Sequence, residues 1–376
     1  MNLAFIDVTS TLFYGGVQTA IWQLAIALTD LGHQVTVYGG DGPLRPDLDG
    51  RDVRIRHFPY TSREKFPNLG TRFRKFAERW TFSRHARTAV VEVDHDWVIL
   101  TKPFDFFWPR LMPAGKRTRF AFMSGGTDFM PGDRRLARGI DAWVACSHFN
   151  AWQIGDRYSV YPNAIFNGVD ITRFSPDCRD PELRTALGVQ DEDVLFAFAG
   201  RLVGWKGMQV AIAALAEPEL RDFPARLMII GGGAARESWQ ALARELHVGD
   251  RVRFVPPQAH GELPRYYASA DAGIFPSLGD EAFGITIAEA MACGLPVVAS
   301  YNGGIPEVVG NEGSAGLLFE IGNVSQCARA MAALCASPAR RQFMGLRARQ
   351  RIVDQFTWQA AAARLLAALA AAEHRS

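Results

Sequence analysis

The stretch FPSLGDEAFGITIAEAMACGLPVVA, Phe275 to Ala299, reads as a strand end, a loop, a helix and the next strand. Glu281 and Glu289 stand on either side of Phe283-Gly284, where the loop gives way to the helix. Glycine at that turn lets the backbone come close to a ligand, and the free N–H groups from Ile285 onward point at an anion. Taken alone, two glutamates on a helix are most simply two solvated side chains. Here Ile285, Ile287, Ala288, Met291 and Ala292 leave Glu289 little polar face, so it requires a partner.

The same rhythm extends in both directions. In the second half strands are expected at Val194 to Phe198, Arg226 to Ile230, Val252 to Val255, Ala272 to Phe275, Pro296 to Ala299 and Gly316 to Phe319, with helices between them. The first half repeats the pattern. It has strands at Leu3 to Val8, Gln34 to Tyr38, Val53 to Phe58, Trp97 to Leu100, Arg119 to Met123, Ala142 to Ala145 and Ala164 to Phe166. After the first of these comes the turn Tyr14-Gly15-Gly16, then a helix from Val17 to Leu31 ended by Gly32. Short apolar strands alternating with helices imply a parallel sheet covered on both faces, the doubly wound α/β class, with ligands at the carboxyl ends of the strands. A chain of 376 residues exceeds one ordinary core. Turn residues cluster from Asn167-Gly168-Val169-Asp170 to Pro181, so two domains are expected, over 1–175 and 176–356.

Several of these strand ends carry chemistry. Gly200-Arg201-Leu202-Val203-Gly204-Trp205-Lys206-Gly207 places two cations on a glycine-rich loop. Arginine offers a flat fork and lysine a point charge, a combination suited to a diphosphate; a merely solvated loop is the plainer reading. Gly231-Gly232-Gly233 borders a ligand or is a turn. Gly15-Gly16 either brings backbone close to phosphate or sugar or makes a tight turn, and it lacks the third glycine of the dinucleotide fingerprint. In Ser124-Gly125-Gly126-Thr127-Asp128, Asp128 either accepts a hydrogen bond from a sugar hydroxyl or caps the next turn.

Charge is unevenly spread. The net charge is +2, yet from Arg51 to Val90 eleven Lys or Arg stand against Asp52, Glu64 and Glu78. Within this segment Phe73, Phe76 and Trp80 share a helical stripe flanked by Arg72, Arg74, Lys75 and Arg79. A basic helix with such a stripe over 63–87 lies on an anionic membrane surface or meets a phosphorylated lipid carrier. The alternative is a domain helix with its aromatics in the core. Confinement of the charge to one segment, without a recognition motif, argues against nucleic acid.

Composition excludes other classes. With 48% hydrophobic and 21% charged residues the chain is neither disordered nor fibrous. No apolar run approaches the roughly 20 residues of a membrane span. The first residues, MNLAFIDV, read as a buried strand and lack the charged head and cleavage site of a secretion signal. The five cysteines are odd in number and without metal-ligand spacing. The expectation is a cytoplasmic protein, peripheral at the inner face of the membrane, with reduced thiols and no metal.

Gly200 to Gly207, Glu281 to Glu289 and Asn167 to Asp170 together resemble the retaining, nucleotide-sugar-dependent glycosyltransferases of family 4. The likeness extends to Phe356-Thr357-Trp358 and the alanine-leucine helix that follows. It implies the GT-B fold, two facing Rossmann-like doubly wound domains with a cleft between them, and a terminal helix, about 357–376, packing back on the first domain. It further implies that Arg201 and Lys206 hold the donor diphosphate. Glu281 with the backbone of Phe283, Gly284 and Ile285 would face the donor sugar and distal phosphate, and Glu289 would bind the ribose diol. Gly15 and Gly16 would complete the site from the other domain. Two departures stand out: Gly125 occupies the position of a sugar-contacting His found in many relatives, leaving Asp128 as a substitute contact, and Ala282 replaces a common Pro.

The resemblance implies transfer of a hexose-type sugar from a UDP- or GDP-sugar to a hydroxyl acceptor with retention, without cofactor or metal. The basic segment favours a glycan or lipid-linked acceptor, such as a surface-polysaccharide precursor. Two readings remain open beside it: a nucleotide-sugar epimerase on the same scaffold, and a non-catalytic nucleotide-sugar-binding partner.

Overall fold

A computed structural model describes residues 1–13, 15–126 and 128–374. Tyr14 of the first glycine turn, Thr127 of the Ser124–Asp128 loop, and the terminal Arg375 and Ser376 lie outside the described residues. The chain divides into two compact units, one comprising Met1–Asn167 with Trp358–Ser376 and the other Gly168–Thr357.

The first unit is built on a parallel sheet of β1 (Asn2–Ile6), β2 (Gln34–Gly40), β3 (Val53–Phe58), β4 (Trp97–Leu100), β5 (Arg119–Ser124), β6 (Ala142–Ala145) and β7 (Asn163–Ala164), in the order β3-β2-β1-β4-β5-β6-β7. Side chains alternate across each strand. In β1, Leu3 and Phe5 join one core with Val37, Trp97 and Ile99, while Ala4 and Ile6 join the opposite one with Val98, Leu100 and Phe122. Burial on both faces is why inner strands such as β1 and β4 read as unbroken apolar runs, whereas edge strand β3 alternates Val53 and Ile55 with Arg54 and Arg56. The strand expected to reach Val8 ends at Ile6, because the Asp7 carboxylate accepts hydrogen bonds from Thr9 N at 2.8 Å and Thr9 Oγ1 at 2.7 Å and bends the chain.

The helix Trp358–Glu373 packs on the helix Gly16–Asp30 and closes the first of these cores. Its buried Trp358, Ala361, Ala362, Leu365, Ala368, Leu369 and Ala372 follow the spacing of one helical face. Complete burial of each leucine contributes about 1.5–3 kcal/mol. At its far end Glu373 accepts a hydrogen bond from Trp97 Nε1 at 3.0 Å and pairs with Arg119 at 2.8 Å.

The basic segment forms the helix Thr71–Glu92, and one expectation about it is corrected. Arg79 does not flank a surface stripe. It is 4% exposed and bridges Asp7, at 3.1 Å, and Asp105. Asp7 follows β1 and Asp105 follows β4, so the guanidinium crosses the carboxyl edge of the sheet where its strand order reverses. Removing one partner of such a buried pair costs about 3–5 kcal/mol. The aromatic stripe is partly internal: Phe76 and Trp80 both pack edge-on against Phe107, and Trp80 and Phe73 keep exposed faces.

The second unit is a parallel sheet of β8 (Val194–Ala199), β9 (Ala225–Ile230), β10 (Val252–Val255), β11 (Ala272–Phe275), β12 (Val297–Ser300) and β13 (Gly316–Phe319), ordered β10-β9-β8-β11-β12-β13. Its order reverses between β8 and β11. That is the place where an open α/β sheet leaves a crevice beyond its strand ends. Among the described residues no helix is long and apolar enough to cross a membrane.

Candidate functional site

The two strands at the reversal carry the two stretches singled out above. β8 runs into Gly200–Gly207, and β11 runs into the loop that carries Glu281. The loops are stitched by backbone: Leu278 N and Gly279 N donate to Trp205 O at 2.7 and 3.1 Å. Gly207, at φ 74°, allows this approach, since a Cβ there would stand 1.8 Å from Pro276 O. Asn302, after β12, ties the other side by donating to Gly279 O at 2.8 Å, and Gly304 N donates to Glu281 O at 2.7 Å.

This arrangement brings Lys206 and Glu281 together in an ion pair with each side chain 14% exposed. Glu281 also accepts from Ser277 Oγ at 3.2 Å, and the Lys206 ammonium lies 4.6 Å from the Trp205 ring centroid. Arg201 is exposed and makes no ion pair among the described residues. Of the two loop cations, then, Arg201 retains its full charge for an incoming anion, and Lys206 shares its charge with Glu281.

The helix following this loop is Ile285–Ala292. It starts at Gly284, in the left-handed region at φ 96°, with no side chain capping its first turn, so the leading N–H groups are not satisfied by a cap. Phe283 is buried against Phe356, with ring centroids 5.7 Å apart, and fixes the direction in which the helix departs.

Glu289 lies one turn inside that helix and is 3% exposed. The partner it requires is His260, whose Nε2 lies 2.7 Å from Glu289 Oε1. The second carboxylate oxygen, Oε2, is buried without a hydrogen-bond partner. Burial pulls the His260 imidazole down, but the charge and hydrogen bond of Glu289 outweigh it and leave His260 raised above its ordinary 6.5. His260, Ser277 and Asn302 escaped sequence reasoning. The one available signal was position, since all three lie in loops after β10, β11 and β12, at the same edge as the glycines.

Three candidates belong to the first unit. Gly15 is the N-cap of the helix Gly16–Asp30, in extended conformation at φ −166°, and a Cβ on it would meet Gln18 Oε1 at 2.7 Å. Gly16 opens the helix. Asp128 pairs with Lys75, and the next helix, Asp133–Leu136, starts at Gly132 without a side-chain cap. Among the described residues no three His, Cys, Asp or Glu side chains cluster as metal ligands.

Comparison with known proteins gives this geometry a family. Residues 14–173 match the model described as Glycosyltransferase Family 4, and residues 179–351 match that of Glycosyl transferases group 1. The chain is 29% identical over 359 residues to the GDP-mannose-dependent alpha-(1-6)-phosphatidylinositol monomannoside mannosyltransferase of Mycolicibacterium smegmatis, covering 89% of each chain. It is 34% identical over 223 residues to the D-inositol 3-phosphate glycosyltransferase of Actinosynnema mirum, covering 56% of this chain and 53% of that one. Among solved structures, sucrose-phosphate synthase from Thermosynechococcus elongatus superposes with a TM-score of 0.80 at 21% identity, over 100% of both chains. The Anabaena protein HepE in complex with UDP and glucose does so with 0.76 at 22% identity, over 98% of this chain and 99% of that one. The two family models together span nearly the whole chain, and the superposing structures share its two-sheet architecture: the protein belongs to the glycosyltransferases of family 4 and has their GT-B fold.

Proposed function

We propose that the protein transfers a hexose from a UDP- or GDP-sugar, with retention at the anomeric carbon, to a hydroxyl of a lipid-linked or polysaccharide-precursor acceptor. The observation carrying this reading is the joining of the Gly200–Gly207 loop to the Glu281 loop at the reversal of the second sheet. Breaking the bond between sugar and diphosphate leaves negative charge on the leaving group, and stabilising that charge is the main catalytic task. Arg201, Lys206 and the N–H groups at Ile285 are the positive groups of the site, and no metal need share the task. Glu281 faces the sugar while holding Lys206 in place, and Glu289 takes the ribose hydroxyls. The leaving phosphate accepts the acceptor's proton as the new bond forms on the same face.

GDP-sugars head the list of donors to be tested, because the relative from M. smegmatis is GDP-mannose-dependent. That relative's phosphatidylinositol monomannoside acceptor, together with exposed Phe73, Trp80 and Arg72 on the helix Thr71–Glu92, supports a lipid-linked acceptor and a peripheral place on the membrane. The test is incubation with a panel of UDP- and GDP-sugars, with and without phosphoinositide or polyprenyl-phosphate acceptors. Products are read by mass spectrometry and the anomeric configuration by NMR. A new α-glycoside from an α-linked donor is the expected result. No turnover of any donor, or inversion at the anomeric carbon, would overturn the reading.

A further inference from the structure

Glu289 sits on an apolar helix with one carboxylate oxygen engaged and the other not. His260 Nε2 occupies Oε1 at 2.7 Å, while Oε2 is buried with no donor. A buried carboxylate oxygen without a donor is a standing cost. The Tyr267 hydroxyl senses the charge of Glu289 but makes no hydrogen bond to it and is itself buried without a hydrogen-bond partner among the described residues, so the donor to Oε2 has to come from a ligand, as a hydroxyl would. The His260 ring is itself held in place, 5.3 Å between centroids from Phe174, and its side chain is one-third exposed, so the pair borders solvent on the His260 side.

We infer that His260 is a positioning residue for the nucleoside: by holding Oε1 it fixes the Glu289 carboxylate and dedicates Oε2 to a ribose hydroxyl. The inference rests on the ribose role proposed for Glu289. It goes beyond that role in assigning the orientation, and the pH response, of the contact to a residue on a separate loop. The groups facing the pair are Arg173 and Asp170, which act on His260, and Tyr267 and Cys293, which sense the charge of Glu289. Both Tyr267 and Cys293 are raised by burial and stay neutral. Arg173 disfavours the imidazolium and Asp170 favours it, both more weakly than burial, which lowers it, and Glu289, which raises it.

The test uses the full chain and calorimetric titration with GDP and UDP and with their 2′,3′-dideoxy counterparts. Wild type is expected to prefer the ribonucleotide by about ten- to a hundredfold, the scale of a charge-assisted hydrogen bond. Glu289→Ala should abolish the preference. His260→Ala should reduce it to within about threefold, raising KM for the donor while leaving kcat nearly unchanged. His260→Gln, whose amide reaches Oε1, should keep the preference but lack the pH dependence expected of wild type, in which the preference weakens as the imidazolium loses its proton. A wild-type ratio in His260→Ala, beside a lost ratio in Glu289→Ala, overturns the role of His260 and leaves that of Glu289. An unchanged ratio in Glu289→Ala overturns the ribose reading itself. If His260→Ala does not fold, His260→Asn, too short to reach Oε1, replaces it: equal ratios for the Asn and Gln variants overturn the inference.

Discussion

Lys206 and Glu281 neutralise each other from loops that follow different strands, and each side chain is only 14% exposed. Arg201, on the same loop as Lys206, is exposed and makes no ion pair among the described residues. The two cations therefore respond differently to deletion. Lys206→Ala and Arg201→Ala should each lower kcat/KM roughly ten- to a hundredfold if, as proposed, each contributes positive charge to the diphosphate site. Only Lys206→Ala strands a largely buried carboxylate, so it alone should lower Tm as well. Wild-type kcat/KM in a folded Lys206→Ala variant would remove the lysine from the diphosphate site.

The His260–Glu289 pair makes stability depend on pH in a defined direction. A basic group whose pKa is raised by folding stabilises the fold fully below its ordinary value, and this contribution is lost as pH rises through the raised one. For His260 the ordinary value is 6.5. The Tm gap between wild type and His260→Gln should accordingly be larger at about pH 6 than at about pH 9. Equal gaps would mean that the imidazole is not charged in the folded protein.

Arg79 is one cation between two buried carboxylates. Burial pushes Asp7 up, but Arg79 and the hydroxyls of Thr101 and Thr9 draw it down to about 2. Burial and the neighbouring charge of Asp7 push Asp105 up to about 7 in spite of Arg79. An acid with a raised value withdraws stability as pH rises from its ordinary value to the raised one. For Asp105 that window runs from 3.8 to about 7. Asp105→Asn should thus flatten the decline of Tm across this window, as followed by thermal melts. An unaltered slope would mean that Asp105 is ionised throughout.

Exposed Phe73 and Trp80 offer the membrane test. In co-sedimentation at low salt, wild type should bind vesicles containing anionic lipid and leave neutral ones, and Phe73→Ser combined with Trp80→Ser should release it. No binding to anionic vesicles removes the membrane reading. Arg79 is internal, so its replacement should act on stability and not on binding.

The inner strands were legible because both of their faces are buried, and edge strand β3 because it alternates apolar and polar residues. Leu3-Ala4-Phe5-Ile6 and Val297-Val298-Ala299 have no polar side to interrupt the apolar run. The loops of the site were legible because glycine marks the strand ends where backbones approach closely, as at Gly207 and Gly284. Partnerships over long sequence separations were not. His260 lies 29 positions from Glu289, in a loop without periodicity, and so only the need for a partner was visible. Arg79 is 72 positions from Asp7, and an arginine between a glutamate and a tryptophan on a basic helix reads as a surface residue. Its turn inward depends on two acids at the ends of β1 and β4, which no local pattern announces.

The helix Trp358–Glu373 belongs to the unit whose other strands and helices were all made before residue 168. During synthesis the first half therefore emerges with one wall of its core missing, and Leu3, Ile21 and Trp97 await Leu365 and Leu369 from the other end of the message. The unit Gly168–Thr357 is continuous in sequence. The core around Leu3, Ile21 and Trp97 is therefore completed only once Trp358–Glu373 has been made. A ribosome that stops short of Trp358 leaves a finished second half joined to a first half open along one face, the form in which quality control would meet it.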